Sequence, residues 1–195
     1  MNAPAPSHLQ ILSRTPGRAL HLSSNGDYYI SRGLSVYKLH DPNQSWQFIT
    51  RLPCAIHRRL AGKIRLAGRL LRHEVRAFQT LSDGSMVAAN RQGVYHGGPN
   101  QTHLAASSID EGSQSLAPPM MLSKGPNDRI LFGEYNSKTA HGQPVRLFVS
   151  DDRGRSFQVA RVFEGGSILH IHNLVYDAKL ACYWLLAADH HHEPG

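Results

Sequence analysis

A degenerate repeat with a period near fifty residues is the feature that most restricts the fold of this 195-residue chain. Each unit begins with a short apolar segment, continues through a turn rich in Gly, Asp and Asn, and returns in a second apolar segment. The units begin near residues 19, 75, 120 and 168. In the first unit, segments 19–22 and 28–30 flank a Ser-Asn-Gly-Asp turn. Short strands separated by such turns predict an all-β chain built from repeated antiparallel units.

Three units extend into further strands, whereas the fourth stops after its second strand. About four strands in fifty residues match one blade of a β-propeller, although a β-sandwich is an alternative. We predict a single partial propeller domain over 1–195, with blades near 18–52, 73–110, 118–163 and 168–195. Because propellers close rings of four to eight blades, we expect roughly half of a six- or seven-bladed ring. A complete four-bladed ring is the less favoured alternative.

The turn at residues 150–157, Ser-Asp-Asp-Arg-Gly-Arg-Ser-Phe, lies between the apolar segments 145–149 and 157–163. Asp152 can accept hydrogen bonds from N–H groups of its own turn, and Gly154 permits a positive φ. Ser150 can add a second local hydrogen bond, and Phe157 can be buried beneath the turn. We interpret the four residues as structural, because together they hold a hairpin closed.

These four residues fit the pattern Ser-x-Asp-x-Gly-x-x-aromatic, so the turn resembles the Asp box of the BNR repeats in sialidase-like β-propellers. The turn from Asp41 to Trp46 resembles a worn copy, with Asn43 in place of Gly. The chain from 132 to 194 is similar to bacterial glycosyl hydrolase-like members of this group. The resemblance implies a peripheral Asp box, a carbohydrate ligand, and first strands that line a central channel.

Two histidines fall on the first strand of the fourth unit. His170 and His172 are two residues apart, which places both rings on one face of a strand. They could bind a glycan or another anionic ligand, act as acid and base near neutral pH, or bind a metal. A metal needs a third ligand, and no spacing selects one. We therefore assign no metal ligand set and no cofactor. The alternative to a functional site is that one of the two histidine rings packs or forms a hydrogen bond beside the channel while the other is solvated.

Glu134 and Tyr135 follow the second strand of the third unit. The sialidase resemblance implies a Tyr nucleophile assisted by a Glu, but neighbouring residues on a strand point to opposite faces. For Glu134 the alternative is a hydrogen bond or a salt bridge between blades, and Arg146 could supply the partner. The candidate catalytic residues are Glu134, His170 and His172. The candidate ligand-binding residues are Tyr135, Arg146 and Asp189.

Composition limits the classes of partner. The 21 basic and 14 acidic residues give a net charge of +7, which favours acidic partners, but no nucleic-acid-binding motif is present. We expect a cytoplasmic protein, because the N-terminus lacks a secretion signal and no apolar run is long enough for a membrane span. The basic stretch at 55–72 is interpreted as a packed connection between blades with a solvated basic face. An anionic contact surface is the alternative interpretation of that stretch.

The leading functional hypothesis is a glycosyl hydrolase-like propeller that binds or processes a carbohydrate. A non-enzymatic scaffold or binding module is the first alternative. A metal-dependent hydrolase or lyase that uses His170 and His172 is the second. Open blade edges also predict self-association.

Overall fold

The computed structural model describes residues 14–41, 43–53, 74–110, 112, 115–135 and 142–188. Two predicted features lie outside the described residues: the basic connection at 55–72 and Asp189. Within the described ranges the regular elements are fifteen strands and one short 3-10 helix, Pro126–Asp128. No helix there is long and apolar enough to cross a bilayer.

The strands form four sheets. Sheet 1 contains β1 (Arg18–Leu22), β2 (Tyr28–Arg32), β3 (Ser35–Leu39) and β4 (Gln47–Arg51). Sheet 2 contains β5 (Ala77–Thr80), β6 (Met86–Asn90), β7 (Gly93–Gly97) and β8 (Ala105–Ala106). Sheet 3 contains β9 (Ser108–Ile109), β10 (Ser123–Lys124), β11 (Ile130–Gly133), β12 (Val145–Ser150) and β13 (Ser156–Phe163). Sheet 4 contains β14 (His170–Asp177) and β15 (Cys182–Ala188).

Strands that pair within a sheet run antiparallel, except that β9 lies parallel to β13 at the outer edge of sheet 3. The order in that sheet is β10-β11-β12-β13-β9. The all-β prediction is confirmed, while the arrangement of the sheets as propeller blades stays a prediction.

Sheets that follow one another in the chain pack face to face. Sheet 2 is the clearest example, because it packs against a sheet on each side. Its strand β6 is buried along its whole length, since alternate side chains point into two different cores. Met86 packs with Tyr29 of sheet 1, whereas Val87 belongs to a core with Phe132 of sheet 3. A third core joins sheets 3 and 4 through residues such as Leu131 and Ile171. The four sheets are therefore stacked in chain order.

The segment from Thr102 to Asp110 joins three of these sheets. Arg51 at the end of β4 donates its N–H to the carbonyl of Thr102, and its own carbonyl accepts from Leu104, at 3.0 Å in each case. Farther along the same segment, β8 pairs with β7 and β9 pairs with β13. Asp110 donates its N–H to the carbonyl of Phe157 at 3.1 Å.

The two outermost sheets of the stack each turn an apolar face outward. On sheet 1, Tyr29 and Val36 face sheet 2, so the alternation of side chains places Tyr28 on the opposite face. We call that face, with Leu22, Tyr28 and Phe48, the first end face. On sheet 4, Leu174 faces sheet 3, so Val175 and its cross-strand partner Trp184 face away. We call that face, with Val175, Trp184 and Leu186, the last end face.

Candidate functional site

The turn at 150–157 forms a closed set of local hydrogen bonds. Asp152 Oδ1 accepts from the hydroxyl of Ser150 at 2.8 Å and from the backbone N–H of Ser156 at 2.9 Å. Its other oxygen accepts from the hydroxyl of Ser156 at 2.6 Å. Burial by itself would raise the pKa of Asp152, but the hydrogen bonds from Ser156 and Ser150 outweigh it and lower the pKa. The carboxylate is thus held ionised as an acceptor within its own turn.

The same turn also packs against sheet 2. Gly154 has a φ of +78°, and a β-carbon there would lie 2.5 Å from Val87 Cγ2. Its N–H donates to Ser150 Oγ at 2.9 Å, and its carbonyl accepts from the Ser107 hydroxyl at 2.6 Å. Phe157 is buried in the core shared by sheets 2 and 3. The turn therefore connects two sheets in addition to closing a hairpin.

Glu134 and Arg146 form a buried ion pair. The register of β11 and β12 places them opposite each other, one step beyond the Gly133–Leu147 pair. The Glu134 carboxylate accepts from Arg146 Nη2 at 2.6 Å and from Arg146 Nε at 2.9 Å. It also accepts from the backbone N–H groups of Arg146 at 2.9 Å and Ala117 at 3.0 Å.

This arrangement revises the expected roles of both residues. The side chains of Glu134 and Arg146 are only 3% and 7% exposed, and each carboxylate oxygen already accepts two hydrogen bonds. The guanidinium additionally donates to the carbonyl of Ser115 at 3.1 Å. We accordingly treat neither the predicted catalytic role of Glu134 nor the predicted ligand contact of Arg146 as part of the candidate site.

His170, His172 and Tyr135 form a cluster at the beginning of β14. The Nε2 atoms of the two histidines lie 3.2 Å apart. The Tyr135 ring lies 4.2 Å from the His170 ring and 5.6 Å from the His172 ring, measured between centroids. The spacing of two residues therefore brings these rings together, and Tyr135 joins them from sheet 3.

The two histidines differ in their environments. His170 is 9% exposed, and its Nδ1 is buried without a hydrogen-bond partner among the described residues. Burial lowers the pKa of His170, and the nearby His172 lowers it further. His172 is exposed. In the described part of the chain no group of three His, Cys, Asp or Glu side chains is placed to hold a metal ion.

A groove of about 990 Å³ is lined by residues of the first strand of each sheet, together with residues 47–49 of β4 and residues of neighbouring turns. Each sheet contributes side chains to its wall, including His21 from β1, Gln79 from β5, Lys124 from β10 and Asn173 from β14. On β14 the lining residues are 173–176, so the cluster of His170 and His172 lies before the lining part of that strand.

The lining combines apolar side chains with polar ones, and its charged side chains are basic. Lys124 Nζ is exposed and donates to the carbonyl of Thr80 at 3.1 Å. Burial lowers the pKa of His21, and the positive charge of Lys124 lowers it further. Burial and the neighbouring Asp27 raise the pKa of Tyr29 to about 12, so this phenol stays protonated. The described lining includes no Asp or Glu, although Asp27 pairs with the lining residue Lys38 at 3.6 Å.

The residues that line the groove were not among the site residues predicted from the sequence. His21, Gln79 and Lys124 are ordinary polar residues in three different units, and none of them belongs to a motif. The repeat nevertheless contained a usable signal, because all three lie on the strand that begins a unit or directly at its end. Polar side chains on corresponding first strands would have pointed to a shared surface.

No family model and no curated protein matches this chain. Among solved structures, an extracellular domain assigned to a one-component system of B. thetaiotaomicron matches 90% of the chain with a TM-score of 0.50 and 10% identity. A protein of unknown function from Dyadobacter fermentans matches 82% of the chain with a TM-score of 0.47 and 12% identity.

The chain spans 23% of the length of the first of these proteins and 52% of the second. At 10% identity, the first match supports a common β fold and carries no information about ligand or reaction.

Proposed function

We propose that the four sheets are blades of a sialidase-like, Asp-box β-propeller and that the groove along their first strands binds a glycan. The packing supports the architecture, because each sheet lies face to face with the next sheet in the chain. The first strands also lie side by side: β1 contacts β5, and β10 contacts β14. Blades around a central channel pack in this way.

The composition of the groove wall is the observation that carries the proposed ligand. A sugar ring presents hydroxyl groups that donate and accept hydrogen bonds, and amide and hydroxyl side chains match both roles. Gln79, Ser123 and Asn173 offer such groups along the groove. Tyr29 and Tyr176 add aromatic surface, which suits the apolar faces of a sugar. Lys124 adds a positive charge that would select acidic sugars.

The same wall favours binding over hydrolysis. Glycosidases that use the common mechanism carry two carboxyl groups beside the scissile bond. The described lining presents none, and Glu134 is committed to Arg146. We therefore propose a carbohydrate-binding protein rather than a hydrolase.

Glycan binding is tested by titrating the purified chain with neutral and acidic oligosaccharides and measuring heat release. Lys124→Ala should weaken binding of an acidic oligosaccharide about tenfold, because a hydrogen bond to a charged group is lost. Lys179→Ala is the matched control, since it removes the same charge from the exposed turn between β14 and β15. Absence of binding at millimolar oligosaccharide, or equal affinities for the two variants, would refute the proposal.

A metal-dependent hydrolase that uses His170 and His172 is the second candidate function. The Nε2 atoms are 3.2 Å apart, close to the separation of about 3.3 Å that two nitrogens have on one tetrahedral zinc ion. It ranks second because metal-bound histidines usually donate their other N–H to a partner. The Nδ1 atom of His170 has none in the described structure.

Zinc titration distinguishes this second candidate from glycan binding. Wild-type protein should bind zinc and His172→Ala should not, whereas His103→Ala, which alters another exposed histidine, should bind as the wild type does. Equal zinc binding by all three proteins would eliminate the candidate without affecting the glycan proposal.

A further inference from the structure

We infer that the groove holds an anionic group of its glycan, a carboxylate or a sulfate, between Lys124 and His21, and that His21 takes up a proton as this group binds. The inference rests on the glycan-binding proposal and adds to it the position of the charged part of the ligand. It also makes the affinity of the groove depend on pH.

Lys124 brings a positive charge to the groove without a carboxylate partner. The described lining contains one other lysine, Lys38, and Asp27 supplies its counter-charge at 3.6 Å. In the part of the chain that the structure describes, Lys124 forms no ion pair, and its Nζ donates to the carbonyl of Thr80 at 3.1 Å. An ammonium group carries three N–H donors. Donors of Lys124 therefore remain available for an anionic ligand.

His21 lies on the groove wall with both ring nitrogens available. Its half-buried ring packs beside the Tyr29 ring, at 5.8 Å between centroids. No side chain or backbone group of the described residues forms a hydrogen bond with the His21 ring. A neutral imidazole offers one donor and one acceptor, whereas the protonated ring offers two donors. Protonated His21 can therefore donate a hydrogen bond to an anionic oxygen in the groove.

His21 and Lys124 come from different sheets and act on each other electrostatically. His21 lies on β1 of sheet 1, and Lys124 lies on β10 of sheet 3. Burial lowers the pKa of His21, and the positive charge of Lys124 lowers it further. A second positive charge on His21 is therefore unfavourable in the ligand-free protein. An anion bound beside Lys124 offsets this repulsion and favours the protonated ring.

The other titratable side chains of the groove do not compete for this role. They are Lys38, Tyr29 and Tyr176, and the described lining includes no Asp or Glu. Tyr29 stays protonated, because burial and the neighbouring Asp27 raise its pKa to about 12. Strands β5 and β14 add no Lys, Arg or His to the described lining. His21 is the one histidine in that lining, and histidine is the side chain that ordinarily titrates near neutral pH.

Proton uptake by His21 determines the direction of the pH dependence. The pKa of His21 lies below its ordinary value in the ligand-free protein, and it rises when an anion binds. The complex therefore holds more protons than the free protein, so affinity increases as pH falls through the pKa of the complex. The increase ends below the pKa of the free protein. Each unit by which the pKa rises corresponds to about a tenfold gain in affinity.

Calorimetric titration with two oligosaccharides that differ only in one carboxylate tests the inference. We expect the acidic oligosaccharide to bind about three- to tenfold more tightly at pH 5.5 than at pH 8, and the neutral one to bind equally at both. Heats measured in two buffers of different ionisation enthalpy should show proton uptake with the acidic ligand. A sulfated analogue of the same oligosaccharide distinguishes a sulfate-binding groove from a carboxylate-binding one. Partial unfolding at low pH would weaken binding, so it cannot imitate the expected gain.

Two variants assign the effect to this pair of residues. His21→Gln should abolish the gain in affinity at low pH and the proton uptake. His103→Gln, at an exposed histidine outside the groove lining, is the matched control and should keep the wild-type pH dependence. Lys124→Gln should raise the pKa of His21 in the ligand-free protein, as measured by nuclear magnetic resonance on the ring proton that contacts Tyr29. This last measurement needs no ligand and does not depend on the folding of His21→Gln.

The outcomes separate this inference from the glycan proposal. Equal affinity of the wild type for the acidic oligosaccharide at both pH values would overturn the inference and leave glycan binding intact. The same holds if His21→Gln keeps the wild-type pH dependence, or if Lys124→Gln leaves the titration of His21 unchanged. Absence of binding by every oligosaccharide would refute the glycan proposal, and this inference with it.

Discussion

Removal of the charge from Glu134 should destabilise the protein severely. In Glu134→Gln the side chain keeps its shape, but the buried Arg146 guanidinium loses the negative charge of the Glu134 carboxylate. Each carboxylate oxygen accepts two hydrogen bonds, one from a backbone N–H and one from the guanidinium. One of these oxygens becomes an amide NH₂ group in the variant. This NH₂ group is itself a donor, and it then faces the backbone N–H and the guanidinium N–H that the oxygen accepted before. Breaking a buried ion pair in this way costs about 3–5 kcal/mol.

Urea unfolding followed by tryptophan fluorescence measures this loss, and thermal unfolding should show a melting temperature lower by roughly 6–20 °C for a domain of this size. The double variant Glu134→Leu with Arg146→Leu removes both charges. We expect its loss of unfolding free energy to be smaller than the sum of the losses in the single variants Glu134→Leu and Arg146→Leu. An unfolding free energy of Glu134→Gln within about 1 kcal/mol of the wild-type value would contradict this prediction. Loss of ligand binding by a fully stable Glu134→Gln protein would contradict it as well.

Three further predictions concern stability. Asp152→Ala should lower the unfolding free energy by about 1–2 kcal/mol in urea titrations without changing glycan affinity, because it removes only turn hydrogen bonds. Gly154→Ala should cost at least as much, roughly 1–3 kcal/mol, because its new methyl group meets Val87 at a positive φ; a neutral effect would contradict the described turn. Stability should fall as pH drops below about 6.5, since the lowered pKa values of His170 and His21 mean that these residues take up more protons in the unfolded state than in the folded state there. A melting temperature that is flat from pH 7.5 to 5 would refute this assignment.

The repeat pattern predicts most of the strands. The segments expected at 19–22, 28–30, 145–149 and 157–163 lie within two residues of β1, β2, β12 and β13. The largest error is the first strand of the third unit, which was expected to begin near residue 120. The observed strand, β10, is only Ser123–Lys124. Pro118 and Pro119 lie directly before the expected start, and proline cannot donate to a strand ladder.

The candidate site was less predictable, because it depends on register and on contacts between units. The pairing of Glu134 with Arg146 follows once Gly133 is known to lie opposite Leu147, and the sequence alone does not define that register. Local spacing did bring His170 close to His172. The groove required residues from all four sheets to converge, which no single motif encodes.

The segment Thr102–Asp110 determines which sheets of the protein can unfold independently of the others. This segment forms backbone hydrogen bonds with sheets 1, 2 and 3. Unfolding of any one of these sheets therefore also disrupts hydrogen bonds of the other two. Sheet 4 lies outside this connection, and among the backbone bonds described, Ile171 N–H to the carbonyl of Glu134 ties it to sheet 3. In hydrogen-exchange experiments on the purified chain, we expect sheets 1 to 3 to exchange as one cooperative unit. The amides of β14 and β15 should exchange earlier, as a separate foldon.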